Sequence, residues 1–392
     1  MDRRVEVADG RGVVVGDYAT VFNMFGAAPP PLSAHLRTAE FRATVDDRAR
    51  SFLGREFVFT AIDALLADPA FPSGYVVLRG EPGIGKTSVL ARLVTTTACA
   101  HHFTSALTNI RSPRAFLANV CAQLVVRHGL DHTHLPESAT ADGGFLVRLL
   151  AEAVAKSGRV LLVVDALDEA EPAAAGANRL FLPASLPTGV HVVVSTRDRH
   201  DDQLYVDHRR DVHLRDDDPR NLADVREYVR RRGTDPALTD ELVRRSEGNF
   251  MYVVHVLRDL RAGLLDPTSL PQGLRAYYRK HWEVMRDRDP DLFRAYQEPV
   301  ICLLATAREP VTVAEVAGWT RGYWARSGWD TTGFQRRVVV EVVRGWREFL
   351  NADGDAYRVY HASFQDFLRE EIGLEAHHDT IADTALAKIF PP

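Results

Sequence analysis

The sequence predicts an α/β chain: a mostly parallel sheet flanked by helices, then a helical segment, then a small module of helices and a hairpin. Three observations carry that prediction. Arg159–Asp165 and Val190–Ser195 are nearly continuous apolar runs rich in valine, as strands buried on both faces should be. Helical patterns alternate with such runs, which places helices over a parallel sheet. After about Asp216 the valine runs stop and helix-like segments follow one another.

In chain order, residues 1–34 stand apart as a β-prone tail ending in a proline-rich linker, Gly26–Pro31. Residues 35–215 carry the alternating pattern. A polar helical stretch leads to Phe52, an amphipathic run follows at Ala61–Leu66, and Tyr75–Leu78 is a short buried strand ending near glycine. Lys86–Thr97, Ser112–His128 and Phe145–Lys156 are helices, the second with apolar residues at Phe116, Val120 and Leu124. Residues 216–305 are read as a helical segment, with helices at Asn221–Arg232, Thr239–Arg245, Phe250–Ala262, Leu274–Arg286 and Asp291–Ala305. Residues 306–392 mix helices with a hairpin, Trp346–Leu350 and Tyr357–His361 around Asn351–Gly354, a pattern that fits a winged helix.

Bulk composition narrows the function classes. At 46% hydrophobic and 26% charged, the 392 residues read as ordinary globular protein. A net charge of -5 gives no global pull toward nucleic acid or anionic lipid. Cys99, Cys121 and Cys302 form neither a metal-ligand spacing nor a disulfide framework, which suits a reducing cytoplasm. No apolar run is long enough to span a bilayer, and no signal core follows the N-terminus, so no membrane partner is expected. His101-His102 and the histidines from His128 to His134 lack a zinc spacing and read as solvated loop residues.

The chemistry concentrates in three strand tips. Gly80, Glu81, Pro82, Gly83, Ile84, Gly85, Lys86 and Thr87 match G-x-x-x-x-G-K-[ST] between a strand and a helix, with Ser88 following. Glycines let backbone amides wrap phosphates, and the helix N-terminus adds its positive dipole end. Lys86 would neutralise the β- and γ-phosphates of ATP, and Thr87 would ligate Mg²⁺. Asp165 ends an apolar strand where it can hold Mg²⁺ through water. Asp168 and Glu169 lie just beyond, placed to polarise an attacking water, and the residue after Asp165 is Ala166 rather than glutamate. Ser195-Thr-Arg197 is a third tip, whose arginine either reads the γ-phosphate or makes a surface salt bridge.

Taken together, the Gly80–Thr87 loop, Asp165-Ala-Leu-Asp-Glu169 and Ser195-Thr-Arg197 resemble the NACHT-type STAND NTPases, P-loop ATPases of the wider AAA group that act as signal-transduction switches. Phe52-Leu-Gly-Arg-Glu56 looks like their lead-in motif, which implies a nucleotide contact at Arg55. Gly248-Asn-Phe-Met-Tyr252 is similar to their second helical segment, with Asn249-Phe250 where relatives often carry proline. Tyr360–Leu368 resembles the histidine-bearing helix of their winged-helix module. That implies a β-phosphate contact for His361, the alternative being a core histidine at a strand–helix junction. Val13–Met24 looks like short RHIM-like amyloid-signalling motifs, although a plain edge strand or tail fits equally.

The resemblance implies ATP/ADP with Mg²⁺, slow hydrolysis, self-association on activation and an effector protein reached through the N-terminal tail. The alternatives are an origin-binding-type ATPase acting on DNA, favoured by Arg226, Arg230–Arg232 and Arg244-Arg245, or a nucleotide-binding interaction scaffold. The acidic total and the missing glutamate after Asp165 count against nucleic acid.

Overall fold

The computed structural model describes residues 29–50, 52–104, 110–198, 202–307, 309–347, 349–359 and 361–389. The RHIM-like stretch and Tyr360 lie outside them. Five strands, β1 (Gly74–Gly80), β2 (Ala100–Phe103), β3 (Val160–Asp165), β4 (Val190–Thr196) and β5 (Arg209–Leu214), form a parallel sheet in the order β2-β3-β4-β1-β5. This is the mostly parallel, helix-flanked sheet that the valine runs predict. Register aligns Leu78 with Ser195 and Val164 with Val194, so the C-terminal tips of β1, β3 and β4 lie side by side.

Alternation along the strands divides the core between two faces. Tyr75, Val77, Leu162, Val164, Val192 and Val194 face α4 (Pro113–His128) and α5 (Gly144–Ser157). Val76, Leu78, Val163 and Val193 face α1 (Thr38–Arg50), α2 (Glu56–Ala67) and α3 (Lys86–Thr97). Each such side chain contributes roughly 1.5–3 kcal/mol on burial. Local signals set the helix ends. Ser112 accepts a hydrogen bond from the Ala115 amide (3.2 Å) ahead of Pro113, and Gly129 closes α4 in the left-handed region.

Two strands of this sheet escaped the sequence reading. Strand β2 contains His101 and His102, which are buried rather than solvated. His102 packs edge-on against Phe41 (5.4 Å) and Phe116 (5.2 Å), and the Asn119 amide lies 3.3 Å from its Nδ1. Strand β5 is an edge strand whose outward residues, Arg209, Asp211 and His213, hide its pattern.

The helices α6 (Pro219–Arg230), α7 (Pro236–Ser246), α8 (Phe250–Arg261) and α9 (Gly273–Arg288) follow. Three of them begin at a side-chain cap, Asp218, Asp235 or Asn249. The expected single helix over Asp291–Ala305 is interrupted. A short α10 (Pro290–Leu292) runs into a π-helical turn, Phe293–Gln297, before α11 (Glu298–Thr306). Pro299 supplies the reason. It has no N–H to give the carbonyl of Ala295, which instead accepts from the Trp324 indole (2.5 Å).

The last section runs β6 (Val311–Thr312), α12 (Val313–Arg326), α13 (Arg336–Gly345), β7 (Leu350–Asp353), β8 (Ala356–Val359), α14 (Ala362–Phe367) and α15 (Glu375–Ile389). The strands form a small antiparallel sheet, β6-β8-β7. The hairpin turns at Gly354-Asp355, so Asn351 and Ala352 belong to β7 and not to the turn. Trp346 and Phe349, expected in the first strand, precede it as buried anchors.

Candidate functional site

The loop between β1 and α3 carries its glycines in conformations that side chains resist, φ 83° at Gly83 and 107° at Gly85. A Cβ on Gly83 would sit 2.8 Å from Asn249 Oδ1, so the loop is also pressed against α8. There Asn249 Nδ2 donates to the Pro82 carbonyl (2.9 Å), and the Met251 amide donates to the Gly83 carbonyl (3.1 Å).

Lys86, at the first position of α3, donates through Nζ to the carbonyls of Gly80 (2.7 Å) and Glu81 (3.2 Å). Burial pulls its pKa down, and the carboxylates of Asp168 and Asp165 oppose that pull. Asp165 is only 3% exposed, and burial pushes its pKa up. Hydrogen bonds from the Ser195 hydroxyl (2.5 Å) and from Thr87 favour its ionised form.

Beyond Asp165 the chain bends sharply. Ala166 takes φ 56°, its amide donates to Ser195 Oγ (2.8 Å), and a 3₁₀ turn at Leu167–Glu169 follows. That turn brings Asp168 and Glu169 back to the cleft lined by the phosphate-loop residues. Arg179 pins it from behind, donating to the carbonyls of Leu167 (3.2 Å), Asp168 (2.8 Å) and Ala170 (2.9 Å).

Arg197 leaves the tip of β4 and joins two parts of the molecule. Its Nε donates to Asp168 Oδ2 (2.8 Å) and its Nη1 to Asp366 Oδ2 on α14 (2.5 Å). Burial acts to lower its pKa, but Asp366 and Asp168 outweigh burial and raise it. His361 caps α14, its Nδ1 accepting from the Ser363 amide (3.1 Å) and hydroxyl (2.8 Å). It is half-buried at the cleft wall. Burial first, then the charges of Arg48, Lys86 and Arg197, push its pKa down to about 3.

Arg55 also reaches the cleft, held in the left-handed region at φ 67°. Its guanidinium donates to the Ile84 carbonyl (2.7 Å) and to Asn221 Oδ1, and it stacks 4.5 Å from the Phe250 ring centre. Its amide donates to Asp224 Oδ2 (2.8 Å). Burial lowers its pKa to about 10. Arg55 thus ties the phosphate loop to α6, and its hydrogen bonds run to protein groups on both sides.

The structure therefore gathers every predicted residue around one cleft of about 1060 Å³: the Pro82–Ser88 stretch, Asp165, Asp168, Glu169, Arg197, Arg55 and His361 line it, and Gly80 and Glu81 offer their carbonyls to Lys86. It adds Asn221, Asp224, Arg179, Asn249 and Asp366, which sequence spacing missed. Asn249 and Asp366 had a signal, since they lie inside the Gly248–Tyr252 and Tyr360–Leu368 motifs. The donor set fits a nucleotide with Mg²⁺: a glycine-wrapped amide turn, one lysine, and two oxygen groups for the metal, the Thr87 hydroxyl and, through water, the Asp165 carboxylate. Mg²⁺ keeps water and phosphate as its other ligands, so it needs no dedicated cage. Among the described residues no cluster of three His, Cys, Asp or Glu side chains forms one.

A β1 tip that opens into this loop, between the tips of β3 and β4, defines a P-loop NTPase fold. Residues 51–194 match the family described as the AAA ATPase domain. The chain is similar at the level of fold to the Walker-type ATPase of Pyrococcus abyssi (13% identity, TM-score 0.40, 81% of this chain and 96% of that one). It is also similar to Cdc6p of Pyrobaculum aerophilum (12%, 0.35, 84% and 94%). A further likeness is to RuvB, the Holliday junction branch migration motor of Thermotoga maritima (14%, 0.33, 82% and 96%). These are distant likenesses and say nothing of what this chain acts on. No curated protein matches the sequence.

Proposed function

We propose that this chain is a cytoplasmic, nucleotide-controlled switch of the NACHT-type STAND class. ATP or ADP with Mg²⁺ binds at Gly80–Ser88 and Asp165. Slow hydrolysis at Asp168 and Glu169 resets the switch, and self-association follows opening, bringing N-terminal tails together for an effector. Residues 35–215 are the NTPase domain, 216–305 the helical segment, and 306–392 a winged-helix module, a reading supported by the order β6-α12-α13-β7-β8.

The observation that carries the proposal is Arg197, shared between Asp168 at the sheet edge and Asp366 in the last module. A γ-phosphate beside Asp168 competes for that guanidinium. The closed form is then favoured by ADP and weakened by ATP, the affinity difference that any ligand switch requires. Against DNA loading, Arg226 pairs with Asp240, Arg230 and Arg231 with Glu227, and Arg244 and Arg245 with Glu241. Arg232 stacks on Tyr228 (3.3 Å). These six arginines share three carboxylates and one aromatic ring, so the surface is partly neutralised and its guanidinium groups are already engaged, which supports a switch over a DNA-loading motor.

Asp366→Ala should promote ATP-dependent assembly, lowering the ATP concentration at half-assembly by about fivefold for about 1 kcal/mol of lost closed-state contact. Light scattering with ATP and with ADP reads this directly. If neither wild type nor variant changes size with ATP, the switch reading is wrong.

A further inference from the structure

The cleft extends past the phosphate loop to the β7–β8 hairpin, and none of the residues assigned to the nucleotide lies on that hairpin. Its volume of about 1060 Å³ lies at the upper end of the roughly 300–1,000 Å³ typical of small-molecule pockets. One wall is the phosphate loop. A second is aromatic, Phe52, Tyr228 and Phe250, beside Arg55. The third is formed by α8, Arg347 and the β7–β8 hairpin.

That third wall is basic by construction. Met251, His255 and Arg258 follow at i, i+4 and i+7 along one face of α8. Met251 touches the phosphate loop, so Arg258 lies about 10 Å further along the helix. Asn351 and Arg358 are register partners in the hairpin, so their side chains share one face. Of the neighbouring pair, Val359 is fully buried in the core and Leu350 is buried at the floor of the cleft. Arg347 stands just before the hairpin. Among the described residues that α8, Arg347 and the hairpin contribute to the cleft, none is acidic. Arg258 is held in place by Asp259 (3.0 Å) behind it.

His255 is the second observation. It is 5% exposed and sandwiched between Tyr277 (5.4 Å) and Phe349 (5.9 Å), and its buried Nδ1 makes no hydrogen bond. A buried ring nitrogen without a partner is costly, and His255 is one of the residues that line this end of the cleft.

We infer that the hairpin end of the cleft is a second ligand site, built by Arg258, Arg347, Arg358, Asn351 and His255 for a phosphate-bearing small molecule distinct from the nucleotide at Gly80–Ser88. Guanidinium forks suit phosphate oxygens, and Asn351 adds a neutral donor. Because the site draws α8 and the hairpin onto one ligand, occupancy binds the helical segment to the last module.

The test is isothermal titration of pyrophosphate into the full chain already saturated with ADP. One further equivalent should bind. Arg347→Glu should weaken it by about tenfold or more, the loss of one charge-assisted contact. Arg347 is exposed, so this variant should fold normally, and Arg358→Gln gives an independent second measurement. Lys86→Ala should keep pyrophosphate binding while losing ADP. An absent second equivalent, or one unaffected by both arginine variants, overturns the inference. So does binding that disappears in Lys86→Ala, which would place the anion in the phosphate loop. If ADP fails to bind wild type, the nucleotide reading falls, while pyrophosphate titrated into Lys86→Ala still decides the hairpin site.

Discussion

At the scale of single residues, buried polar groups do two kinds of work. Lys86 and Asp165 are chemical groups whose pKa values move because they were taken out of water at the ligand edge. His102 is buried for packing, and its cost can be measured. Burial holds its folded pKa down at about 3, against about 6.5 in an unfolded chain. Between those values the unfolded state binds more protons, so the folded state loses stability as pH falls below 6.5. The loss is up to about 1.4 kcal/mol per pH unit. His102→Leu removes that one titration and leaves those of His255, His281 and His377 in place. Urea midpoints at about pH 7 and about pH 5 should show wild type losing up to about 2 kcal/mol more than the variant. Equal losses would mean that His102 takes up its proton in the fold without penalty.

At the scale of elements, the parts most legible in the sequence were those in which one physical signal dominates. The valine strands β3 and β4 have no other use for so many β-branched residues. The phosphate loop needs glycine at positions where φ is positive, and helix α3 begins where that loop predicts. Strand β2 was hidden because only four residues make it and two are histidine, which binary patterning reads as polar. The π-turn at Phe293–Gln297 had a local signal in Pro299, but the Trp324 indole that takes up the freed Ala295 carbonyl arrives from a distant helix, and no local pattern contains that. The acid turn shows the same limit at the site. Asp168 and Glu169 were legible from their spacing after Asp165, but Arg179, which fixes their geometry, was not. Arg179→Ala would leave the carbonyls of Leu167, Asp168 and Ala170 without that donor, at about 1–3 kcal/mol for each one left buried. The proposed ATP hydrolysis should then slow by about tenfold or more with ADP affinity near wild type, because the phosphate loop does not lean on Arg179. A parallel fall in ADP affinity would show that the turn and the loop are one unit.

At the scale of the whole molecule, the question is where such a switch would part. The helical segment and the last module share one continuous hydrophobic core, running from Val225 to Leu374. Helix α9 supplies its centre. Tyr278 packs on Phe364 (5.1 Å), His281 on Trp346 (5.1 Å) and Trp282 on Trp346 (5.5 Å). The seam between this body and the parallel-sheet domain is polar instead: Asn249 to Pro82, Met251 to Gly83, Arg55 to Asn221 and Asp224, and Arg197 to Asp366. Those contacts contribute about 1 kcal/mol each. Exposing the aromatic core would cost about 2–3 kcal/mol for every large side chain. A nucleotide can supply the first sum and not the second. Residues 219–389 should therefore move as one body against the sheet domain. Cys99, Cys121 and Cys302 are buried, so labels introduced at surface cysteines can be read selectively. On exchange of ADP for ATP, spin labels at Asp63→Cys and Arg326→Cys should change separation. Labels at Arg231→Cys and Arg326→Cys should keep theirs. The opposite result would place the hinge at α9 and require the shared aromatic core to come apart when the protein opens.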